Sequence, residues 1–153
     1  MLAHDVYAAL SELYTVPVFR NITKSEMVHT TAVAELLEQF GIEDPAADHE
    51  PGVFKHSEIQ SLYDQLVNQG SSSYEEAIKV GLQIEDMDIA DLEKALAEEI
   101  ENEDIVFVYK NLLMGSGHHL NAFWFHATKN SIEWEPEHIS PAKFDEIIES
   151  DSP

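Results

Sequence analysis

Apolar residues recur along this chain at intervals of three and four positions, and alternation at intervals of two is weak throughout. The three-and-four spacing is typical of α-helices that bury one face. It predicts an all-α protein whose five main helices span about 2–14, 17–40, 57–70, 72–98 and 102–128, with a short helical segment at about 143–149.

Several helix ends carry their own signals. Pro17 suits the first turn of the second helix, because the N–H that proline lacks would be unpaired there anyway. Gly41 is a natural left-handed stop for the same helix, and Asn102 followed by two acids suits the start of the fifth. Two further starts have a serine followed three residues later by Gln or Glu, the capping-box spacing. These are Ser57 with Gln60 and Ser72 with Glu75.

The order of these elements predicts a four-helix bundle. Four helices are long, and the shorter helix at 57–70 lies between the second and third long ones, which gives a bundle with one long crossover connection. A length of 153 residues fits one ordinary domain. We therefore expect a single domain, with the bundle at about 2–128 and a short tail at about 129–153.

Ionisable side chains interrupt the apolar faces of three long helices. Glu26 and His29 are three residues apart, so both project from the apolar face of the second helix. Glu85 and Asp88 stand in the same way on the fourth helix, and His119 lies within the stripe of the fifth. The apolar stripes are Phe19, Ile22, Val33, Leu36 and Phe40 on the second helix, Tyr74, Ile78, Gly81 and Leu92 on the fourth, and Ile105, Leu112 and Phe123 on the fifth.

Three buried carboxylates need a compensating charge, because an isolated ion in a protein interior costs several kcal/mol. Lys and Arg are nearly absent from these faces, so histidine, a shared proton or a metal ion must supply it. Carboxylates and histidines on facing helices are the parts of a dinuclear site in a bundle core, and iron or manganese suits that ligand set. The alternative is that the helices are rotated and these acids face water.

The balance of charge excludes several classes of partner. The chain has 30 Asp and Glu against 8 Lys and Arg, which gives a formal net charge of -22, and it has no cysteine. Nucleic acids and anionic membranes both require clustered cations, and a spanning helix needs a run of about 18 apolar residues that is absent here. We expect no nucleic-acid or membrane partner, no disulfide and no thiolate metal site.

A series of short runs spreads over nearly the whole chain. They are Leu2–Tyr7, Asn21–Ile22, Lys24–His29, Leu62–Asp64, Leu66–Val67, Gly81, Ile84–Glu85, Asp88–Ile89, Asp91–Leu92, Gly115–Ser116, His119–Leu120, Ala122–Phe123, Pro136, Ile139–Ser140 and Phe144. Together these runs resemble an uncharacterised bacterial and archaeal family that is classed as ferritin-like and carries only a domain-of-unknown-function label.

The resemblance implies the fold of the ferritin and rubrerythrin superfamily, a ferritin-like four-helix bundle. In that superfamily a di-iron centre is held by a Glu on the first helix, Glu-x-x-His on the second, Glu on the third long helix and Glu-x-x-His on the fourth. Glu26, His29, Glu85 and His119 match this pattern, and Asp88 resembles an extra carboxylate of rubrerythrins. The implied cofactor is iron, as a di-iron centre, or manganese.

Two positions depart from that pattern. Ser116 stands where the last helix would supply its Glu, so Asp88 would have to substitute. Ala3 and Tyr7 match the first-helix pattern Glu-x-x-Ala-x-x-x-Tyr, which places the Glu immediately before Met1. Either the sequence is trimmed at its start, or Asp5 or His4 serves as the ligand, or that ligand is missing and the site is incomplete.

The function implied by this site is oxidoreductase chemistry with dioxygen or peroxide, or the oxidation of Fe(II). The alternative is a non-catalytic helical scaffold or interaction module that has lost a complete metal site. Metal ions and a small oxidant are the expected partners, a homodimer is plausible by analogy, and an external electron donor would be needed. We expect a cytoplasmic protein, although a secretion signal could be missing from this chain. His49, His56 and His138 fall in loops or caps and are expected at the surface.

Most of the acids belong to the surface and predict a protein adapted to high salt. Salt shortens the Debye length from about 10 Å at 0.1 M to about 3 Å at 1 M, which relieves repulsion between surface charges. The urea midpoint of unfolding should therefore rise steeply as sodium chloride is raised from about 0.1 M to about 2 M. A flat midpoint over that range would contradict a halophilic origin.

Overall fold

A computed structural model of the protein describes residues 1–98 and 100–150, and its regular structure there is helical. The six helices are α1 (Leu2–Leu13), α2 (Pro17–Gln39), α3 (Ser57–Gly70), α4 (Tyr74–Ala97), α5 (Glu103–Lys129) and α6 (Pro141–Ser150). The all-α prediction is confirmed, and each predicted helix is present within a few residues of its expected bounds. None of the helices in the described ranges combines the length and the apolar character needed to cross a membrane.

Packing divides the chain into two compact units, with the division between Ala77 and Ile78 inside α4. In the first unit, α1 packs against α2 and α3. Leu10 of α1 lies so close to Gly70 that a Cβ added there would be 2.8 Å from the leucine side chain. The Tyr14 hydroxyl donates to the Gly70 carbonyl at 2.8 Å. The lack of a side chain at Gly70 thus allows α1 to reach the end of α3.

The second unit is built on α4, α5 and α6. A Cβ added at Gly81 of α4 would lie 2.5 Å from the ring of Phe123 on α5. The Phe144 ring of α6 meets Trp124 of α5 edge-on at 5.0 Å and Trp134 at 5.6 Å. The tail after α5 is therefore held by an aromatic cluster rather than extending freely.

Three of the sequence signals for helix ends are confirmed. Pro17 is the first residue of α2, and Gly41 after its end has a φ of +65°, a conformation that favours glycine. The Asn102 side chain accepts hydrogen bonds from the backbone N–H groups of Asp104 and Ile105. That cap satisfies donors that the first turn of α5 would otherwise leave unpaired.

Both capping-box predictions are wrong. Ser57 is already the first residue of α3, and the Gln60 side chain instead accepts from the Phe54 N–H at 2.8 Å. At α4 the hydroxyl of Ser73, not Ser72, accepts from the Glu76 N–H at 3.1 Å. The serine run at 71–73 allows the same spacing in two registers, and periodicity alone does not choose between them.

The predicted apolar stripe of α2 is buried only in its first half. Phe19 and Ile22 are buried, whereas Val33 is 37% and Phe40 is 42% exposed. The stripe repeats every seven residues, but an α-helix turns through 3.6 residues, so such a stripe drifts by about 20° per heptad. Over the three heptads from Phe19 to Phe40 it rotates by about 60°, which carries its end toward water.

Substitution of Gly81 by alanine should lower the free energy of unfolding by about 1 to 3 kcal/mol, because the new methyl group meets the Phe123 ring. Gly117→Ala on α5 is the matched control, since its nearest neighbour would be 3.8 Å away, and it should stabilise by about 0.5 to 1 kcal/mol. Urea denaturation of the two variants measures both changes. Equal effects of the same sign would show that close packing at Gly81 is unimportant.

Candidate metal centre

Two predicted ligands lie together on α2. Glu26 and His29 are three residues apart, so one helical turn places their side chains on the same face. Glu26 is 4% exposed, and its Oε1 lies 3.2 Å from Nδ1 of His29. One turn of α2 therefore holds a buried carboxylate beside an imidazole.

A second acid and histidine meet in the other unit. Glu85 of α4 is fully buried and His119 of α5 is 6% exposed. Oε1 of Glu85 lies 3.5 Å from Nδ1 of His119. Within each unit a buried glutamate therefore faces a histidine Nδ1 at close range.

The approach of α5 to α4 at Gly81 explains the second pair. Glu85 follows Gly81 by four residues and Phe123 follows His119 by four, so each polar residue stands one turn from the apolar contact on its own helix. Because a Cβ at Gly81 would overlap the Phe123 ring, any larger residue there would push the helices apart. An apolar contact thus sets the distance between Glu85 and His119.

The remaining predicted position is less enclosed. Asp88 is partly exposed, although it follows Glu85 by three residues on the same face of α4. Ser116 is 2% exposed and precedes His119 by three residues, where a glutamate would complete the pattern of the last helix. The interior of α5 therefore offers a hydroxyl at that position instead of a carboxylate.

Asp86 is a buried acid that the sequence analysis did not single out. It is fully buried, and its carboxylate accepts three backbone N–H groups, from Glu137 at 2.8 Å, His138 at 2.9 Å and Ile139 at 2.9 Å. The side chain anchors the tail to α4. Consecutive side chains of an α-helix are about 100° apart around its axis, so the adjacent residues Glu85 and Asp86 contact different partners.

Asp5 forms a second polar cluster in the first unit. One carboxylate oxygen lies 2.6 Å from Nε2 of His49 and accepts the Gly52 N–H at 2.7 Å, and the other lies 2.8 Å from Nδ1 of His4. Both oxygens are thus engaged by protein donors. The structure gives Asp5 and His4 the role of holding the 49–52 segment to α1.

Hydrogen bonding keeps the Asp5 carboxyl ionised. Burial alone would raise its pKa, but the hydrogen bonds from Gly52, His4 and His49 outweigh burial, so that the pKa falls below its ordinary value of 3.8. This is the behaviour of a carboxylate that accepts several hydrogen bonds.

The surface assignment of His49 is wrong, because its side chain is 11% exposed. His56 and His138 are exposed as expected. The partners of His49 lie 44 residues away at Asp5, so no local pattern marks it. A histidine between prolines in a polar loop gives no signal of such a contact.

Comparisons with known proteins identify the family of this chain. The model of an uncharacterised protein domain, DUF2202, matches residues 1–151. The chain belongs to the DUF2202 family. An uncharacterised protein of Methanocaldococcus jannaschii, MJ0754, is 43% identical over 149 residues, which is 97% of this chain and 80% of that protein. The crystal structure of the hypothetical protein MJ0754 superposes with a TM-score of 0.94 at 42% identity and covers 99% of this chain and 86% of the solved one.

Substitution of Asp5 by asparagine in this DUF2202 protein should cost about 2 kcal/mol of unfolding free energy at neutral pH, because an amide cannot accept from every donor of the carboxylate. The pKa of Asp5 is lowered on folding, so its contribution is present above 3.8 and is lost as the pH falls below that value.

Urea denaturation of the wild type and the Asp5→Asn variant between about pH 7 and pH 2.5 tests this expectation. The difference between them should shrink as the acid end is reached. Asp48→Asn, at an exposed position, is the control and should change stability by less than about 0.5 kcal/mol. A difference that stays constant down to the lowest pH would rule out the ionised carboxylate as its source.

Proposed function

We propose that this protein is a ferritin-like metalloprotein in which Glu26, His29, Glu85, Asp88 and His119 bind iron or manganese, and that it acts as an oxidoreductase on dioxygen, peroxide or Fe(II). The observation that carries the proposal is the pairing of a buried glutamate with a histidine Nδ1 in each unit, at 3.2 Å and 3.5 Å.

The donor set and its spacing fit such ions. Carboxylate oxygen and imidazole nitrogen are ligands that iron and manganese accept. Two ligand atoms about 2.1 Å from a common ion are about 3.0 to 3.4 Å apart at octahedral or tetrahedral angles. The observed separations between Glu26 and His29 and between Glu85 and His119 lie close to that range. When bound, the metal would supply redox chemistry and a place for a small oxidant to bind.

The chain's own residues would contribute charge and exclusion of water. Glu26 and Glu85 bring negative charge into a buried place, where attraction to a cation is screened far less than at the surface. The same helices also bury apolar side chains, which exclude water; these are Phe19 and Ile22 on α2 and Phe123 on α5. A neutral imidazole is the form that binds a metal, so a metal ion would compete with protons for the ring nitrogens of His29 and His119.

One observation favours a second candidate function, a helical scaffold without metal. Ser116 is buried where the superfamily pattern requires a glutamate. A glutamate facing a histidine at 3.2 Å also forms an ion pair without any metal. In that case the acids and histidines would serve only to pair with each other in the interior.

Metal loading separates the two candidates. We expect anaerobic incubation with Fe(II) or Mn(II), followed by desalting and elemental analysis, to leave a stoichiometric amount of metal on the wild type. The double variant Glu26→Ala, Glu85→Ala should lose at least about tenfold in metal affinity, since it removes one ligand from each pair.

The matched control is Glu35→Ala with Asp91→Ala, which removes two exposed acids from the same two helices and should bind metal as the wild type does. Circular dichroism verifies that each variant is helical, and loss of Fe(II) in air is followed with a colorimetric chelator. Substoichiometric metal on the wild type, or equal binding by both double variants, would favour the scaffold.

A further inference from the structure

The first unit contains a cavity of about 680 Å³ beside the 45–59 segment. Its size lies within the usual range for small-molecule sites, which are mostly apolar with a few polar groups. The apolar part of its wall is formed by Leu2, Pro45, Ala46, Val53, Phe54 and Ile59. The cavity therefore offers a largely apolar space that is large enough to hold a single-ring compound.

His49 gives this wall one oriented polar group. The imidazole lines the cavity, and its ring centroid is 4.9 Å from that of Phe54. Nε2 is fixed on Asp5 at 2.6 Å. Because Nε2 faces the Asp5 carboxylate, which accepts hydrogen bonds, the imidazole tautomer that carries its one proton on Nε2 leaves Nδ1 as an acceptor. Within residues 1–98 and 100–150, Nδ1 of His49 has no hydrogen-bond partner.

The charges around the cavity favour an uncharged ligand. Asp48, Glu50 and Lys55 all belong to its lining. With two acids against one lysine, the wall has no excess of positive charge to attract a carboxylate or a phosphate. A ligand that donates a hydrogen bond without carrying charge suits both the wall and the acceptor on His49.

We propose that this cavity binds a small uncharged phenol, whose ring packs against Phe54 and whose hydroxyl donates to Nδ1 of His49. Asp5 is the positioning residue, since it holds the imidazole in the tautomer that accepts. The site uses none of the residues assigned to metal binding, so it stands or falls independently of the proposed function.

Isothermal titration of the full chain at neutral pH with 4-ethylphenol tests the proposal, with 4-ethylanisole as the matched ligand that lacks the donor. We expect saturable binding of the phenol and about tenfold weaker binding of the anisole, the factor that one net hydrogen bond provides. Equal affinities, or tighter binding of 4-ethylbenzoate than of the phenol, would overturn the proposal.

A variant pair locates the hydrogen bond. His49→Lys keeps an N–H donor for Asp5 but has no acceptor, so the phenol should bind about tenfold more weakly while the anisole is unaffected. His56→Lys changes another histidine of the same lining and should leave both affinities unchanged. If His56→Lys weakens the phenol as much as His49→Lys does, the assignment of Nδ1 is wrong.

Amide chemical shifts provide a readout that does not depend on affinity. Addition of 4-ethylphenol should shift the backbone signals of Val53 and Phe54 first. Shifts confined to residues outside the cavity lining would contradict the proposed location even if binding were saturable.

Discussion

A carboxylate leaves water only where donors or cations replace its hydration, and this constraint organises the described interior. Asp86 meets it with three backbone N–H groups, and Asp5 with one backbone N–H and two histidines. Each of these acids thereby fastens an irregular segment to a helix. Glu26 and Glu85 each face a histidine ring. An N–H of the backbone is permanent, whereas an imidazole can give up its proton. The first kind of pairing therefore suits a structural role, and the second suits exchange of a proton for a metal ion.

The polar pairs depend on apolar contacts made elsewhere on the same helices. The missing side chain at Gly81 permits the ring of Phe123 to lie against α4, and one turn away the same approach sets the distance from Glu85 to His119. Gly70 has the same function for Leu10 in the first unit. The missing side chain at Gly81 thus sets where Glu85 and His119 meet, and that at Gly70 sets how closely α1 approaches α3, because packed helices adjust little to an added methyl group.

The spacing of apolar residues was sufficient to predict the helices, since a repeat near 3.6 is a property of a single segment. It also marked Glu26, His29, Glu85 and His119 as polar residues on apolar faces. It could not identify the partners of Asp86 or His49, because these lie about 50 residues away in the tail and 44 residues away in α1. The N-terminus of α4 shows a smaller limit. Either Ser72 or Ser73 could cap this helix by spacing alone, and the folded structure uses Ser73. The metal set and the bundle arrangement remain predictions.

The tether between Asp86 and the tail bears on how this chain is assembled. The buried carboxylate of Asp86 on α4 is satisfied by three consecutive backbone N–H groups at 137–139. The packing of α4 is therefore complete only after this later segment of the chain has been synthesised. During synthesis, the emerging chain would hold that carboxylate hydrated until the last residues docked. A truncation after Asn130 would therefore remove the hydrogen-bond donors of the Asp86 carboxylate. The loss of unfolding free energy would exceed that from removing one surface helix.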